Sequence, residues 1–346
     1  PVSVDDSGLA WFSPSESPFT IYGFPFYETD AVYRRLPLEP KEKLPESVDV
    51  LAWNTSGGQI KFRTNSDTCA VKVTLSSISN MVHMPATGQS GFDCYIDKRF
   101  AGAAIFDLSR SEYTAEFFNY PGTGEKEITL NFPLYNGVER VLVGLEKDSV
   151  IRTTQGFSSD RPVIFYGTSI TQGGCASRPG ISTTNILSRK LDLPFINLGF
   201  SGSGKAEPAV AASICAIADP LAIIIDCDGN CSDVELRENV PAFFHIIRDR
   251  YPEIPILLLS CTAFVKDYFS NTAKERAWRA EFLNNLVEQE KKEGDTRIFF
   301  KDGRDLLGDA GEEGTVDGVH LNDFGFWCFA KNLTPVISRV LGRKCT

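Results

Sequence analysis

With 346 residues, 42% of them hydrophobic and 23% charged, the chain has the size for two ordinary domains and the composition of a folded globular protein, not a disordered one. A formal net charge of −10 argues against nucleic acid or an anionic membrane surface as the main partner. No run approaches the ~18 apolar residues of a membrane span.

Residues 1–150 read as an all-β domain, a sandwich or jelly roll. Ala70–Leu75 and Ile128–Phe132 alternate apolar and polar residues, the pattern of half-buried strands, and Arg140–Leu145 reads as a more deeply buried one. Gly57-Gly58, Asn119–Gly122 and Asn136-Gly137 supply turns between such runs, and no dozen-residue stretch keeps a helical period. The segment 146–161 is polar and unpatterned, as a domain junction is.

From residue 160 to 346 the texture changes to alternating strands and helices. Strands are expected at 162–167, 194–199, 221–227, 254–260 and 296–301, each dominated by Ile, Leu, Val or Phe. Helices are expected from Glu207-Pro208 onward, over Thr272–Glu293, and over Asn322–Leu341. Near-continuous apolar strands separated by helices imply a parallel sheet covered on both faces. Five such units suggest a flavodoxin-like three-layer α/β/α sandwich.

In open α/β sheets, ligands bind beyond the carboxyl ends of the strands. The first strand leads into Gly167-Thr168-Ser169, the second into Gly199–Gly204, the third into Asp226–Asn230, and beyond the fifth lies Asp317-Gly318-Val319-His320. Taken alone, Ser169 is explained equally well as a helix cap, and Asp317/His320 as a capped turn. Together the four strand ends supply a nucleophile, a base with an orienting carboxylate, and oxyanion donors. Ser169 is the expected nucleophile, His320 its base and Asp317 the group that orients the imidazole. The N–H groups of Ser169 and Gly202 and the amide of Asn230 are the expected oxyanion hole. Gly167 is expected to permit a sharp turn, and Gly173-Gly174 to leave room above the serine.

At this point the chain resembles the SGNH (GDSL) hydrolases. Their blocks are a strand followed by G-x-S, a Gly after the second strand, an Asn after the third, and D-x-x-H near the C-terminus; Ser169, Gly202, Asn230 and Asp317/His320 match in order. Thr168 stands where the GDSL name implies Asp, and the third block reads Asp-Gly-Asn-Cys. The Gly-x-Ser-x-Gly motif of α/β-hydrolases is absent, since Thr171 occupies the place of its second Gly. Gly91–Tyr95 is similar to the G-x-D-L-Y signature of a β-rich domain found ahead of one SGNH subgroup, with Cys94 for Leu, and Gly173–Gly180 is also similar to that subgroup. The resemblance implies a serine esterase acting through an acyl-enzyme, removing acetyl groups from carbohydrate. Its alternatives are an acyltransferase using the same residues and a non-catalytic carbohydrate-binding protein. The implied partner is a small-molecule or oligosaccharide ester, with no cofactor.

Arg178 and His83 are the candidates for substrate contact. Arg178 suits an acidic or hydroxylated group. His83 reads first as a surface-loop histidine, in a loop that could reach across to the catalytic face. His245 reads as structural. Asp226, Asp228 and Asp233 read as caps or solvated carboxylates rather than metal ligands. Nine cysteines, an odd number without a scaffold spacing, read as mainly free thiols, and three histidines make a zinc site improbable. No signal peptide stands at Pro1; removal of a leader ahead of it would place the protein in the periplasm or outside the cell.

Overall fold

The computed structural model describes residues 1–6 and 8–343. The last three residues of the stretch read as 160–346, Cys345 among them, lie outside the described residues; the other eight cysteines are free.

The five apolar runs form one parallel sheet: Val163–Gly167, Phe195–Gly199, Ala222–Asp226, Ile256–Leu259 and Ile298–Lys301. The strands lie in the order second, first, third, fourth, fifth. Alternate residues feed two separate cores. Ile164, Tyr166, Ile223 and Ile225 pack towards the helices Pro208–Ile214, Asp233–Arg250 and Thr272–Lys292. Val163, Phe165, Ala222 and Ile224 pack towards Thr183–Leu191 and Asp323–Val340. Burial on both faces is why the inner strands are apolar at nearly every position instead of every second one. The strand order reverses on either side of the first strand, and Ser169 follows that strand, at the switch point where such sheets bind ligands.

The N-terminal strands form two facing antiparallel sheets. One has the order Ser3–Val4, Leu9–Phe12, Val138–Glu146, Thr68–Leu75, Glu112–Asn119; the other has Ile151–Arg152, Gln59–Thr64, Lys126–Asn131, Asp93–Ile96, Arg99–Ala103. Phe62, Ile128 and Leu130 of one sheet meet Val71, Val73 and Val143 of the other in a common core. The strand Ile151–Arg152, which pairs with Gln59–Thr64, falls within the stretch read as an unpatterned junction. Two residues are too few for an alternation to register.

The stretch 1–150 is β-rich, as expected, with short helical turns between its strands. It holds the short helices Tyr27–Asp30, Glu46–Leu51 and Ala86–Gln89, the longest of them six residues. Helices of one or two turns show no periodicity that a sequence reading can use. Leu36, Leu44, Val48 and Ala52 leave the sandwich and join the parallel-sheet core. Arg35 fastens this segment. Fully buried, its guanidinium donates to the carbonyls of Asn197 (3.2 Å), Gly199 (2.6 Å) and Leu51 (2.7 Å) and lies over the Phe200 ring. Burial pulls it down to about 9, so it remains charged at neutral pH.

Removing this guanidinium orphans the Asn197 and Gly199 carbonyls, at roughly 1–3 kcal/mol for each buried group left unpaired, while the Leu51 carbonyl still accepts from the Asn54 N–H at 3.0 Å. Arg35→Met is therefore expected to lower the unfolding free energy by at least about 2 kcal/mol, read from urea unfolding. An unchanged midpoint would contradict the anchoring role.

Candidate active site

Ser169 opens a four-residue helix, Ser169–Gln172, at the end of the first strand. Thr168 caps it, accepting from the Ile170 N–H at 3.3 Å, while Thr171 Oγ1 accepts from the Thr168 N–H at 3.3 Å. Thr171 in turn donates to Asp226 Oδ2 at 3.1 Å. Burial raises the Asp226 carboxyl well above the ordinary carboxylate range. Thr168, where the family name implies Asp, and Thr171, where a second Gly would stand, thus shape the nucleophile turn.

Gly167 serves this turn through space, not through unusual torsion angles. A Cβ there would stand 2.1 Å from Thr171 Oγ1 and 2.7 Å from the Asp226 carbonyl oxygen. Nor does the Gly173-Gly174 pair clear space above the serine. A Cβ on Gly174 would stand 2.5 Å from Tyr135 Oη, and that hydroxyl donates to the Ser169 carbonyl at 3.1 Å. Gly174 admits Tyr135 of the sandwich beside Ser169, and Gly173 admits Leu134.

The base arrives on a turn 151 residues away. His320 Nε2 lies 3.0 Å from Ser169 Oγ, and His320 Nδ1 lies 2.7 Å from Asp317 Oδ2. Asp317 Oδ1 also accepts from the backbone N–H groups of Val319 (3.0 Å) and His320 (2.8 Å). Partial burial pushes this carboxyl up, but the hydrogen bonds from the His320 side chain and these two N–H groups outweigh it and hold it below its usual value. Asp317 is therefore ionised at neutral pH and fixes the imidazole with Nδ1 protonated and the Nε2 lone pair towards the serine. The turn is closed by a bridge between Thr315 and Leu321, and Leu321 accepts from the Cys175 N–H at 3.3 Å.

Ser169 and Gly202 each present a backbone N–H that, among the described residues, donates to no other group. Gly202 has φ +65°, which favours glycine, and the space where its Cβ would sit is open. Its turn is held by Gln172, fully buried, whose Oε1 accepts from the Ser201 N–H at 3.0 Å while its Nε2 donates to the Leu134 carbonyl at 3.1 Å. Asn230 donates through Nδ2 to the Phe200 carbonyl at 3.1 Å, which brings its amide to the same turn.

Asp228 is neither a cap nor solvated, and Asp233, solvated as expected, is also an ion-pair partner. Asp228 is buried, and its carboxylate accepts from Arg279 Nε at 2.7 Å and from the Cys261 N–H at 2.8 Å. Arg279 also donates to Asp233 and to the carbonyls of Asp228 and Cys231, each at 2.7 Å, so one guanidinium clamps both ends of the Asn230 loop. The sequence reading missed Arg279 because it lies 49 residues beyond Asn230, in the middle of a charged helix. A buried Arg among the exposed charges of Thr272–Lys292 leaves no mark on the pattern.

The two candidates for substrate contact part company. Arg178 Nη1 is committed to Asp93 Oδ2 at 3.1 Å and to Tyr95 Oη, with its guanidinium over Phe100. It bolts the sandwich to the catalytic half instead of reaching for substrate, and Asp93, fully buried, is its counter-charge. His83 is at the site: its ring centroid lies 5.5 Å from that of His320. Cys175, buried beside it, has its thiol pushed up to about 12 by burial and by the Asp317 carboxylate, and so does not compete with Ser169 as nucleophile. A cavity of about 640 Å³ opens here, walled by Val82, His83, Met84, Cys175, Val316 and Phe324. His245, by contrast, is exposed and pairs with Glu290 at 2.8 Å.

Comparison with known proteins places this geometry. The profile of the GDSL-like lipase/acylhydrolase family matches residues 160–338, and that of the N-terminus of SGNH-hydrolase-type esterases matches 9–151. A protein from Bacteroides ovatus, assigned as a GDSL-like lipase, has a similar structure at 31% identity and a TM-score of 0.88, with 97% of this chain and 99% of that one covered. A salicylyl-acyltransferase from a tetracycline biosynthetic pathway is similar at 20% identity and TM-score 0.76, over 97% and 98% of the two chains. An acetyl xylan esterase from the rumen bacterium Butyrivibrio proteoclasticus shares the fold at 14% identity and TM-score 0.61, over 96% and 100%. A search of curated proteins finds no match.

Arg279→Leu should loosen the Asn230 loop and lower kcat by roughly 10–100-fold with a smaller change in KM, since a misplaced oxyanion donor costs the transition state more than the ground state. An unchanged kcat would refute the clamp. Arg178→Met should cost about 3 kcal/mol of stability, because it removes the ion-pair partner of buried Asp93 and leaves it only the hydrogen bonds from Asn131 and the Gly180 N–H. If instead only KM rises, with unfolding unaltered, Arg178 is a substrate contact after all.

Proposed function

The chain belongs to the GDSL-like lipase/acylhydrolase family, and on that premise we propose that it is a serine carboxylic ester hydrolase working through an acyl-enzyme on Ser169. The observation that carries this reading is the continuous line from Asp317 Oδ2 through both nitrogens of His320 to Ser169 Oγ, with contacts of 2.7 and 3.0 Å. A serine hydroxyl is a weak nucleophile until a base takes its proton, and His320 Nε2 is within hydrogen-bond reach. Ser169 Oγ attacks the ester carbonyl as His320 accepts the proton. The imidazolium formed is stabilised by ionised Asp317. Negative charge on the carbonyl oxygen meets the N–H groups of Ser169 and Gly202 and the Asn230 amide. His320 then gives its proton to the leaving alkoxide and activates water to release the acid.

For substrate, we propose an O-acetylated carbohydrate. The supporting likeness is one of layout: a sandwich ahead of the hydrolase half, as in the acetyl xylan esterase. The apolar wall of Val82, Met84, Val316 and Phe324 beside His320 suits the non-polar face of a sugar ring or another alcohol with an apolar face.

Purified protein is expected to hydrolyse p-nitrophenyl acetate. Ser169→Ala and His320→Ala should each lower kcat by several orders of magnitude, Asp317→Asn by less, and Asn230→Ala by about 10²–10³. Activity that survives loss of His320 would refute the assignment. A panel of acetylated oligosaccharides, read by acetate release, tests the substrate, and product partition with added acceptor alcohol distinguishes hydrolysis from acyl transfer. If simple aryl acetates turn over but no acetylated glycan does, the carbohydrate part of the proposal fails and the esterase part stands.

A further inference from the structure

His83, Cys175 and His320 offer one ligand atom each, and these atoms all lie within 4.8 Å of one another. Among the described residues they form the only such group of His, Cys and carboxylate side chains. The three come from distant parts of the chain. His83 is on a loop of the sandwich, Cys175 follows the nucleophile helix, and His320 is on the base turn. With only three histidines in the sequence, the reading from sequence set zinc aside; the fold puts two of the three beside a buried cysteine.

We propose that these residues form a site for zinc, or a similar borderline-soft divalent cation, and that occupancy switches the esterase off. Two imidazoles and a thiolate are ligands that zinc prefers and that magnesium and calcium do not. Tetrahedral zinc at about 2.0–2.3 Å from each ligand needs ligand atoms some 3.3–3.7 Å apart, so side-chain movements of about an ångström close the site.

The His320 tautomer is already set for it. Asp317 holds Nδ1 at 2.7 Å, which leaves the lone pair on Nε2 as the donor. A carboxylate behind a histidine is the second-shell pattern that orients metal ligands and raises their basicity. The hydrogen bond that makes His320 a base therefore also makes it a ligand. The cavity that His83 and Cys175 line gives the ion a route in from solvent, and water or hydroxide fills the fourth position. On binding, the Cys175 S–H bond breaks, its proton passes to solvent and the sulfur–metal bond forms; no electron is transferred. With its Nε2 lone pair on the metal, His320 no longer accepts the Ser169 proton, and turnover stops.

The inhibition rests on the esterase reading above, but the binding does not, and the experiment keeps them apart. Metal-free protein is titrated with zinc chloride by calorimetry, and p-nitrophenyl acetate hydrolysis is followed over the same range. One ion per chain is expected, with binding and inhibition sharing a midpoint, while magnesium and calcium leave the rate unaltered. Cys175→Ser and His83→Ala should each raise the zinc dissociation constant and the inhibition midpoint by at least about tenfold, each measured against the variant's own uninhibited rate. Ser169→Ala should bind zinc like the parent chain although it is inactive. Cobalt in place of zinc should give a near-ultraviolet thiolate-to-cobalt band that Cys175→Ser lacks. His83 sits on a partly exposed loop, so its variant keeps the test decisive if Cys175→Ser misfolds. The proposal is overturned if zinc does not bind, or if both variants bind it as tightly as the parent.

Discussion

The catalysis proposed for this chain depends on one contact made across 151 residues: His320 Nε2 to Ser169 Oγ at 3.0 Å. Neither partner can hold that geometry alone. The serine opens a helix of four residues, too short to be stable by itself, and the histidine rides on a turn between a short 3₁₀ segment and the last helix. The separation is set by everything that fixes the two turns. On the nucleophile side, Thr168 and Thr171 cap the helix and tie it to Asp226. On the base side, the Thr315–Leu321 bridge closes the turn, and Asp317 spends one oxygen on its own backbone. The Cys175 N–H to Leu321 carbonyl bond at 3.3 Å joins the two.

The sandwich is part of this support rather than an appendage. Ser56 donates to the Gln172 carbonyl, Gln172 donates to the Leu134 carbonyl, and Tyr135 donates to the carbonyl of Ser169 itself. Burial keeps the Tyr135 hydroxyl protonated, so it remains a donor. These are buried polar contacts, strong because water does not compete and costly to leave half-made. Arg178 with Asp93, and Arg35 with three carbonyls, fasten the halves further out. A domain whose loops reach beneath the nucleophile and, through His83, beside the base has its place in the active site set by such contacts. The same closeness makes a metal-ligand set from residues that share no local motif.

The parallel sheet and the residues proposed as the triad were legible in the sequence for the same physical reason. Strands buried on both faces are largely apolar, and where the apolar run stops, the proposed site begins; Ser169, Gly202 and Asn230 follow three of those stops, while Asp317/His320 lie past a loop beyond the fifth strand. What was hidden depends on tertiary contact. Arg279 looks like any charge on a helix until Asp228 is seen beneath it. Arg178, which follows the nucleophile helix, invited a substrate role, and only the buried carboxylate of Asp93 shows where its charge goes. His83 looks like a surface residue in the sequence because loop residues carry no periodicity, and its neighbourhood with His320 comes from tertiary packing. Helices of four to six residues, such as Glu46–Leu51, are too short for any period to show.

The central claim is that Ser169 carries the acyl group during turnover, and it is tested most directly by trapping that intermediate. An aryl ester with a slowly hydrolysed acyl group, quenched in acid and followed by peptide mass spectrometry, should add the acyl mass to the peptide bearing Ser169, with the adduct absent in Ser169→Ala. An adduct on Cys175, or turnover of the ester with no acylated peptide at all, would contradict the account.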